Sequence, residues 1–581
     1  MRFTLLTISI LIIFSCNTSE KKYVENIDFT TIFEKSDGSE TPTYPEVITY
    51  YKNLSEVYPE INIQEIGMTD SGYPLHMITL NPDKEFNFEK IRQTKRILLI
   101  NNGIHPGESD GIDATMLLFR DIAKGTIEAP KNTVLVAIPI YNIGGALNRN
   151  TRTRTNQNGP KAYGFRGNAR NYDLNRDFIK NDTKNAQTFA EIFHVVQPDV
   201  FIDNHVSNGA DYQYTLTHLF TQHNKLNGAL GNYLLNEMHP KLEASLTTKN
   251  WDITPYVNVW GTTPDKGWTQ FMDSPRYSTG YTTLWNTLGM MVETHMLKPY
   301  KLRVEGTYEL MKSMIDITEK DGEKIRSLRE QAFTDLPKQK TYPVNWKVDT
   351  TKATKFNFKG YDGTYIDSEI TGAKRLKYDQ NKPYTKEVRY QNYFIPASEI
   401  KIPNAYVIPK GWWNVIEKLD LNQISYKALE KDSTISVEVY HIAEYKSRKT
   451  PYEGHYLHYS TTISKSKETI TFNKGDLIIP TNQKGFRYLT ETLEPEAPDS
   501  FFNWNFFDTI LQQKEGFSPY VWEDKALELL KNDKKLKQQF EEKKKDTTFA
   551  KNWYAQLDWI HKQSDAYEKA HMRYPVYRIL K

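Results

Sequence analysis

The stretch that decides the fold runs from Arg96 to Asp121, RILLINNGIHPGESDGIDATMLLFRD. Ile97 to Ile100 is an unbroken apolar run, which fits a buried strand. His105, Pro106, Gly107 and Glu108 then make a turn. Ser109 or Asp110 can cap the helix that follows, whose Ile112, Met116 and Phe119 recur at helical spacing. A strand tip that passes through a tight turn into a helix is where open α/β sheets place their chemistry. A histidine and a glutamate three residues apart on such a turn can both face one metal ion. His105 and Glu108 therefore read as two of the three ligands of a zinc site.

Alternating elements extend on both sides of this stretch. Val47, Tyr50, Tyr51 and Leu54 suit one helix face, and Ile61–Ile66 and Leu75–Leu80 read as strands joined by a turn at Ser71-Gly72. Val134–Ile138 is the next buried strand. It feeds a long glycine- and arginine-rich loop from Tyr141 to Phe178, and loops of that length are usually functional or disordered. Asp182 can cap a helix that carries Ala186, Phe189, Ala190 and Phe193. Val200–Ile202 leads into Asp203, Asn204 and His205, and Leu288–Val292 ends at Glu293. Thr307 to about Ala332 reads as one long helix.

The order of these elements predicts an α/β domain over 44–336, with a mixed, mostly parallel sheet flanked by helices. After Leu336 short alternating runs such as Ile435, Val437 and Val439 take over, which predicts a β-rich accessory region over 337–522. Residues 523–581 are rich in Lys and Glu and predict a helical carboxyl-terminal segment.

Bulk composition narrows the function classes. The chain has 581 residues, 13% of them aromatic with 37 Tyr, so it can build substantial cores. Its formal net charge of +3 argues against nucleic acid as the main partner. The sole cysteine, Cys16, follows an apolar run, MRFTLLTISILIIF, too short to span a bilayer. Ile13-Phe-Ser-Cys16 resembles a bacterial lipobox. The expectation is a signal peptide over 1–15, lipidation of Cys16, a tether over 16–43 and a lipid-anchored position in the bacterial cell envelope, outside the cytoplasm. With one cysteine no disulfide can form within the chain.

A His-x-x-Glu spacing is weak evidence alone. His441 and Glu444 repeat it within an alternating strand, where the two side chains fall on opposite faces. Context separates His105 and Glu108 from that pair. A catalytic zinc takes three protein ligands and keeps an open position. His205, directly after a second strand, fits as the third ligand. A carboxylate held at a further strand end is needed as general base, and Glu293 fits.

With those residues assembled, roughly residues 44–330 resemble the zinc carboxypeptidase family. His105, Glu108 and a distant His205 match its ligand pattern, and Glu293 in MMVETHM matches its catalytic glutamate. Asp173, Asn175, Arg176 and Phe178 match its Asp-x-Asn-Arg-x-aromatic loop, and Asn142 and Gly145 match its Asn-x-x-Gly turn. The resemblance implies one zinc ion per chain and a peptide substrate with a free carboxyl terminus. It implies that Asn175 and Arg176 bind that carboxylate, since arginine offers a planar donor fork. It gives Arg149 the task of facing the scissile carbonyl, with Arg152 and Arg154 as alternatives. It also implies a mobile tyrosine, either Tyr281, beside Gly280, or Tyr277.

The resemblance further implies removal of carboxyl-terminal residues, with Glu293 as the base. The chain departs from the family at Ser71-Gly72-Tyr73, where relatives often carry Glu-Gly-Arg, so a substrate-binding arginine is missing there. A deacylase or a peptidoglycan-peptide amidase would use the same zinc and glutamate on this scaffold. A surface protein that binds without turnover is the non-enzymatic alternative.

Overall fold

Nine strands organise the α/β part: β1 (Ile61–Met68), β2 (Pro74–Leu80), β3 (Arg96–Asn101), β4 (Thr133–Ile138), β5 (Val200–Ser207), β6 (Leu216–Phe220), β7 (Ile253–Pro255), β8 (Trp268–Thr269) and β9 (Leu288–His295). All but β8 form one eight-stranded sheet in the order β1-β2-β4-β3-β5-β9-β6-β7. The central strands β4, β3, β5 and β9 run parallel, while β1, β2 and β6 each make antiparallel pairs. The computed structural model describes residues 27–580. The leader and Cys16 lie outside the described residues. Among the described residues no helix is long and apolar enough to cross a membrane.

The apolar run Ile97–Ile100 is fully buried in β3, because helices cover both faces of the central sheet. The Asp110–Ala123 helix lies on one face with the 36-residue helix Tyr300–Asp335 packed against it. The Lys184–Val196 helix lies on the other face, against the β1-β2 end of the sheet. β4 and β5 flank β3 on opposite sides, so strand order reverses at β3. A crevice opens at such a switch point, beyond the carboxyl ends of the strands.

Two local details differ from the sequence reading. Thr183, not Asp182, caps the Lys184–Val196 helix, its hydroxyl accepting from the Ala186 amide at 3.1 Å. Ser109 does stand at the N-cap position of Asp110–Ala123, but its hydroxyl donates to Pro106 O and braces the preceding turn. Gly111 lets this helix close on β5. A Cβ there would lie 2.3 Å from the Asn204 Cβ, which no packing tolerates.

Strands dominate residues 341–480, and the long hairpin Thr354–Asp367/Lys374–Gln391 reaches back to pair with β8. Helices fill 519–562. The chain then returns as strand Tyr577–Ile579, which inserts between Ala405–Ile408 and Ser433–Ser447. That three-residue strand is too short for its alternation to show in the sequence.

A buried ion pair fastens the long helix to the strand-to-helix junction. Arg303 Nε donates to Asp110 Oδ2 at 3.0 Å, and its other nitrogens donate to the carbonyls of Asn158, Gly159 and Lys298. Both side chains are buried. Removing one partner strands the other charge in a dry interior. Arg303→Met is expected to lower the unfolding free energy by about 3–5 kcal/mol, read as a fall in the urea midpoint of the full chain.

Candidate metal and substrate site

The turn after β3 delivers His105 and Glu108, and β5 delivers His205. All three are buried, and each offers a ligand atom within 4.8 Å of the others. His105 Nδ1 stands 3.1 Å from Glu108 Oε1, and His205 Nδ1 stands 3.0 Å from Glu108 Oε2. The far nitrogens are committed elsewhere. His105 Nε2 is 3.0 Å from Asp173 Oδ1, and His205 Nε2 is 2.9 Å from Asp203 Oδ2. A carboxylate can only accept, so both Nε2 atoms carry hydrogen, and each Nδ1 faces Glu108, where a bound cation can replace the Nδ1 hydrogen and meet its lone pair. Two imidazole lone pairs and a carboxylate aimed at one point fit a zinc ion, with outer carboxylates orienting the rings.

Charge balance supports that fit. Burial alone would raise Glu108, but Arg154 and His105 hold its carboxyl well below the usual range. Burial alone would lower His205, yet Asp203 and Glu108 hold it well above its ordinary value. Asp173 also stays ionised despite burial, held down by His105, Arg166 and Arg176.

Glu293 lies in β9 directly beside His205 of β5 in the parallel ladder. Its Oε2 has no hydrogen-bond partner, and its carboxyl lines the same cavity, of about 600 Å³. Burial pushes the Glu293 carboxyl up to about 8, with His205 pulling partly back and Glu108 adding to the rise. A carboxyl poised there can take and return a proton near neutral pH. His205 and Glu293 both sit inside their strands rather than just past them, since β5 and β9 run on to Ser207 and His295.

Asn175, Arg176 and Tyr277 line the cavity. Asn175 is shaped by Asp173, which accepts from its amide, and Asn175 Oδ1 accepts from Ser278 N. The Arg176 guanidinium stacks on the Tyr277 ring at 4.6 Å. Asn142 caps the short helix Ile143–Leu147 and donates to Ile104 O and Arg166 O, so it ties the His105 turn to the arginine loop.

Three sequence expectations need correction. Arg149 turns away from the cavity and donates to the carbonyls of Thr41 and Pro42. Arg152 is exposed and outside the cavity lining. Arg154 takes the inner position, its guanidinium paired with Glu108. Tyr281 is fully buried and donates to Asn422 Oδ1 at 2.8 Å, on the far side of its helix from the cavity. Tyr277, half-buried, lines the cavity instead.

Several contributors went unread in the sequence. Arg166 donates to Asp173 and lies 3.8 Å from Glu108. Asp203, two residues before His205 and therefore on the same strand face, was the one with a usable signal. Tyr256, Asn258 and Trp260 form the outer wall. From the accessory region, Glu453 accepts the Asp173 amide at 2.9 Å.

Part of this geometry falls in a segment that is similar to a known family. Residues 47–201 match the family model described as zinc carboxypeptidase. Carboxypeptidase 2 of Trichophyton rubrum is 21% identical over 498 residues, 80% of this chain and 84% of that protein. Carboxypeptidase 2 of Trichophyton equinum is also 21% identical, with the same coverage. Among solved structures, a metallo-carboxypeptidase from Burkholderia cenocepacia aligns with a TM-score of 0.37 at 13% identity, covering 48% of this chain and 70% of that one. Carboxypeptidase A from Helicoverpa armigera gives a TM-score of 0.36 at 12% identity, covering 51% and 74%. The matched segment holds His105, Glu108 and the Asp173–Phe178 loop, and it stops short of His205 and Glu293. The sheet supplies both by pairing β5 with β3 and β9 with β5. On these residues, the α/β part of this chain is similar to the zinc carboxypeptidase family over residues 47–201.

Proposed function

We propose that this protein removes residues one at a time from the carboxyl ends of peptides, with His105, Glu108 and His205 holding one zinc ion. The observation that carries the reading is the register pairing of His205 with an unpartnered Glu293 at the ligand cluster. Bound there, zinc supplies Lewis acidity toward the peptide carbonyl and toward water.

The chain's own groups supply the rest. Glu293 accepts a proton from the attacking water and returns it to the departing amine. Arg154 stands where a fixed guanidinium can stabilise charge developing on the carbonyl oxygen. Arg176 and Asn175 bind the terminal carboxylate, and the Tyr277 ring holds the Arg176 fork flat. A cavity of about 600 Å³ admits the last residues of an extended peptide.

The deciding experiment is mass spectrometry of products from a mixed peptide library. Stepwise loss of single carboxyl-terminal residues is expected. Cleavage of N-acyl amino acids with free peptides untouched would replace this reading with a deacylase. Glu293→Gln is expected to keep its zinc and lose about 10²–10⁴-fold in turnover, checked by metal content beside the kinetics. An unchanged rate removes Glu293 from the role of base.

The arginines separate in the same assay. Arg154→Ala is expected to lose about 10²–10³ in kcat, whereas Arg149→Ala, which alters only contacts to the Thr41 and Pro42 carbonyls, is expected to stay within about threefold of wild type. Equal losses in both variants count against Arg154 as the carbonyl-facing group.

The leader sequence supports a lipid anchor at Cys16 and a place in the cell envelope. Cys16→Ala is expected to move the protein from the membrane to the soluble fraction and to abolish labelling by radioactive palmitate in a bacterial host.

A further inference from the structure

A second cluster of ligand-type side chains lies on the opposite face of the sheet. Along β6, Leu219 lines the substrate cavity, and its neighbour His218 points the other way, as strand alternation requires. The chain returns to this face through the π-turn Leu234–Met238 and the helix His239–Thr248. His239 and Glu243 are one turn apart on that helix and share a side.

Three atoms converge there. His239 Nε2 is 2.7 Å from His218 Nε2 and 3.2 Å from Glu243 Oε1, and His218 Nε2 is 4.0 Å from the same oxygen. His218 is buried, while His239 and Glu243 are partly open to solvent. His218 and His239 border a small cavity of about 30 Å³, room for one ion or water, also lined by His223. The Nε2 of His223 is buried with no partner of its own.

We propose that His218, His239 and Glu243 bind a second zinc ion, structural in role, that pins the His239–Thr248 helix to β6. A hydrogen shared between the two imidazoles lies on one line and satisfies one contact. A cation between them satisfies three. Zinc–nitrogen bonds of about 2.0–2.1 Å in a tetrahedral site set ligand atoms about 3.3 Å apart, and the observed separations bracket that value. The His239–Glu243 separation of 3.2 Å is close to the 3.0–3.1 Å between Glu108 and its two histidines. Imidazole with one carboxylate selects a divalent d-block ion rather than calcium or magnesium. Glu243, about half exposed, gives the ion an entry path and leaves room for water as a fourth ligand.

The location explains a use for such an ion. In the antiparallel β6-β9 pair, Thr217 stands opposite Glu293 and His218 opposite Val292. The Thr217 hydroxyl also donates to Glu293 O. A tie at His218 would therefore stiffen the strand that flanks the proposed base, without touching the substrate cavity.

Metal content of the full-length protein, equilibrated with zinc and freed of excess, tests this. Wild type is expected to hold two equivalents. Glu243→Gln and His239→Ala are each expected to hold one, and His205→Ala also one, by loss of the other ion. Zinc is expected to raise the melting temperature of Glu243→Gln less than that of wild type, a readout independent of turnover. One equivalent in wild type, lost only in His205→Ala, overturns the second site and leaves the catalytic reading intact. One equivalent lost only in His239→Ala does the reverse. Because Glu243 is half exposed, its conservative variant is expected to fold, so two equivalents in both wild type and Glu243→Gln with an unchanged zinc-induced melting shift also overturn the assignment.

Discussion

Two carboxylates that touch no substrate hold this site in order. Asp203 fixes the far nitrogen of His205, and Asp173 fixes that of His105. Each contact holds a hydrogen on Nε2 and sets how the ring is turned, and so makes Nδ1 the nitrogen that meets Glu108. Asp203 needs little help, because it shares a strand face with His205 and is further held by the Ser278 hydroxyl at 2.5 Å. Asp173 comes from an irregular loop and has to be fastened. Arg166 pairs with it on one side, Asn175 is shaped by it, and Asn142 anchors the loop that carries Arg166. The long segment between β4 and β5 is therefore organised around one carboxylate.

The accessory region extends that chain of supports. Its loop 448–457 joins the strands Ser433–Ser447 and His458–Phe472, and it lays Glu453 against the Asp173 amide and His455 against Asp182 at 2.7 Å. Asn422 meets Tyr281 from the same side. These contacts make the β-rich part a brace behind the Asp173–Phe178 loop rather than a separate appendage. No local pattern announces such a brace, because a loop tip meets its target across some 280 residues of sequence.

What the sequence shows well is what periodicity and geometry enforce. Apolar runs such as Ile97–Ile100 and Val134–Ile138 have one stable use in a chain of this kind, so the sheet and its helices were legible. His105, Glu108, His205 and Glu293 were legible because each is tied to a strand whose direction and neighbours are fixed. The arginines were not. Arg149, Arg152 and Arg154 differ by two or three residues in a loop without a period, and only the path of its backbone decides that Arg154 faces Glu108 while Arg149 reaches Thr41. The tyrosines failed for a related reason. Tyr277 and Tyr281 would share a helix face at a spacing of four, but Tyr277 is the N-cap residue with extended backbone, so its ring leaves in a different direction.

The same rule of alternation that reveals the catalytic strands also explains why a second cluster could lie unnoticed on one of them. The proposed chemistry occupies a single face of β6, where Leu219 borders the cavity and Thr217 meets the Glu293 backbone. His218 belongs to the other face, behind the chemistry, among residues read from sequence as an aromatic and polar stretch. Its partners arrive through a π-turn, an irregularity with no sequence period, so the spacing from His218 to His239 and Glu243 carries no motif. In the proposed role, Glu293 has to be held to within a fraction of an ångström, so restraint on its flanking strand is of use. The hydrogen bonds of β6 to β9 supply part of that restraint, and side chains gathered on the hidden face are well placed to supply the rest.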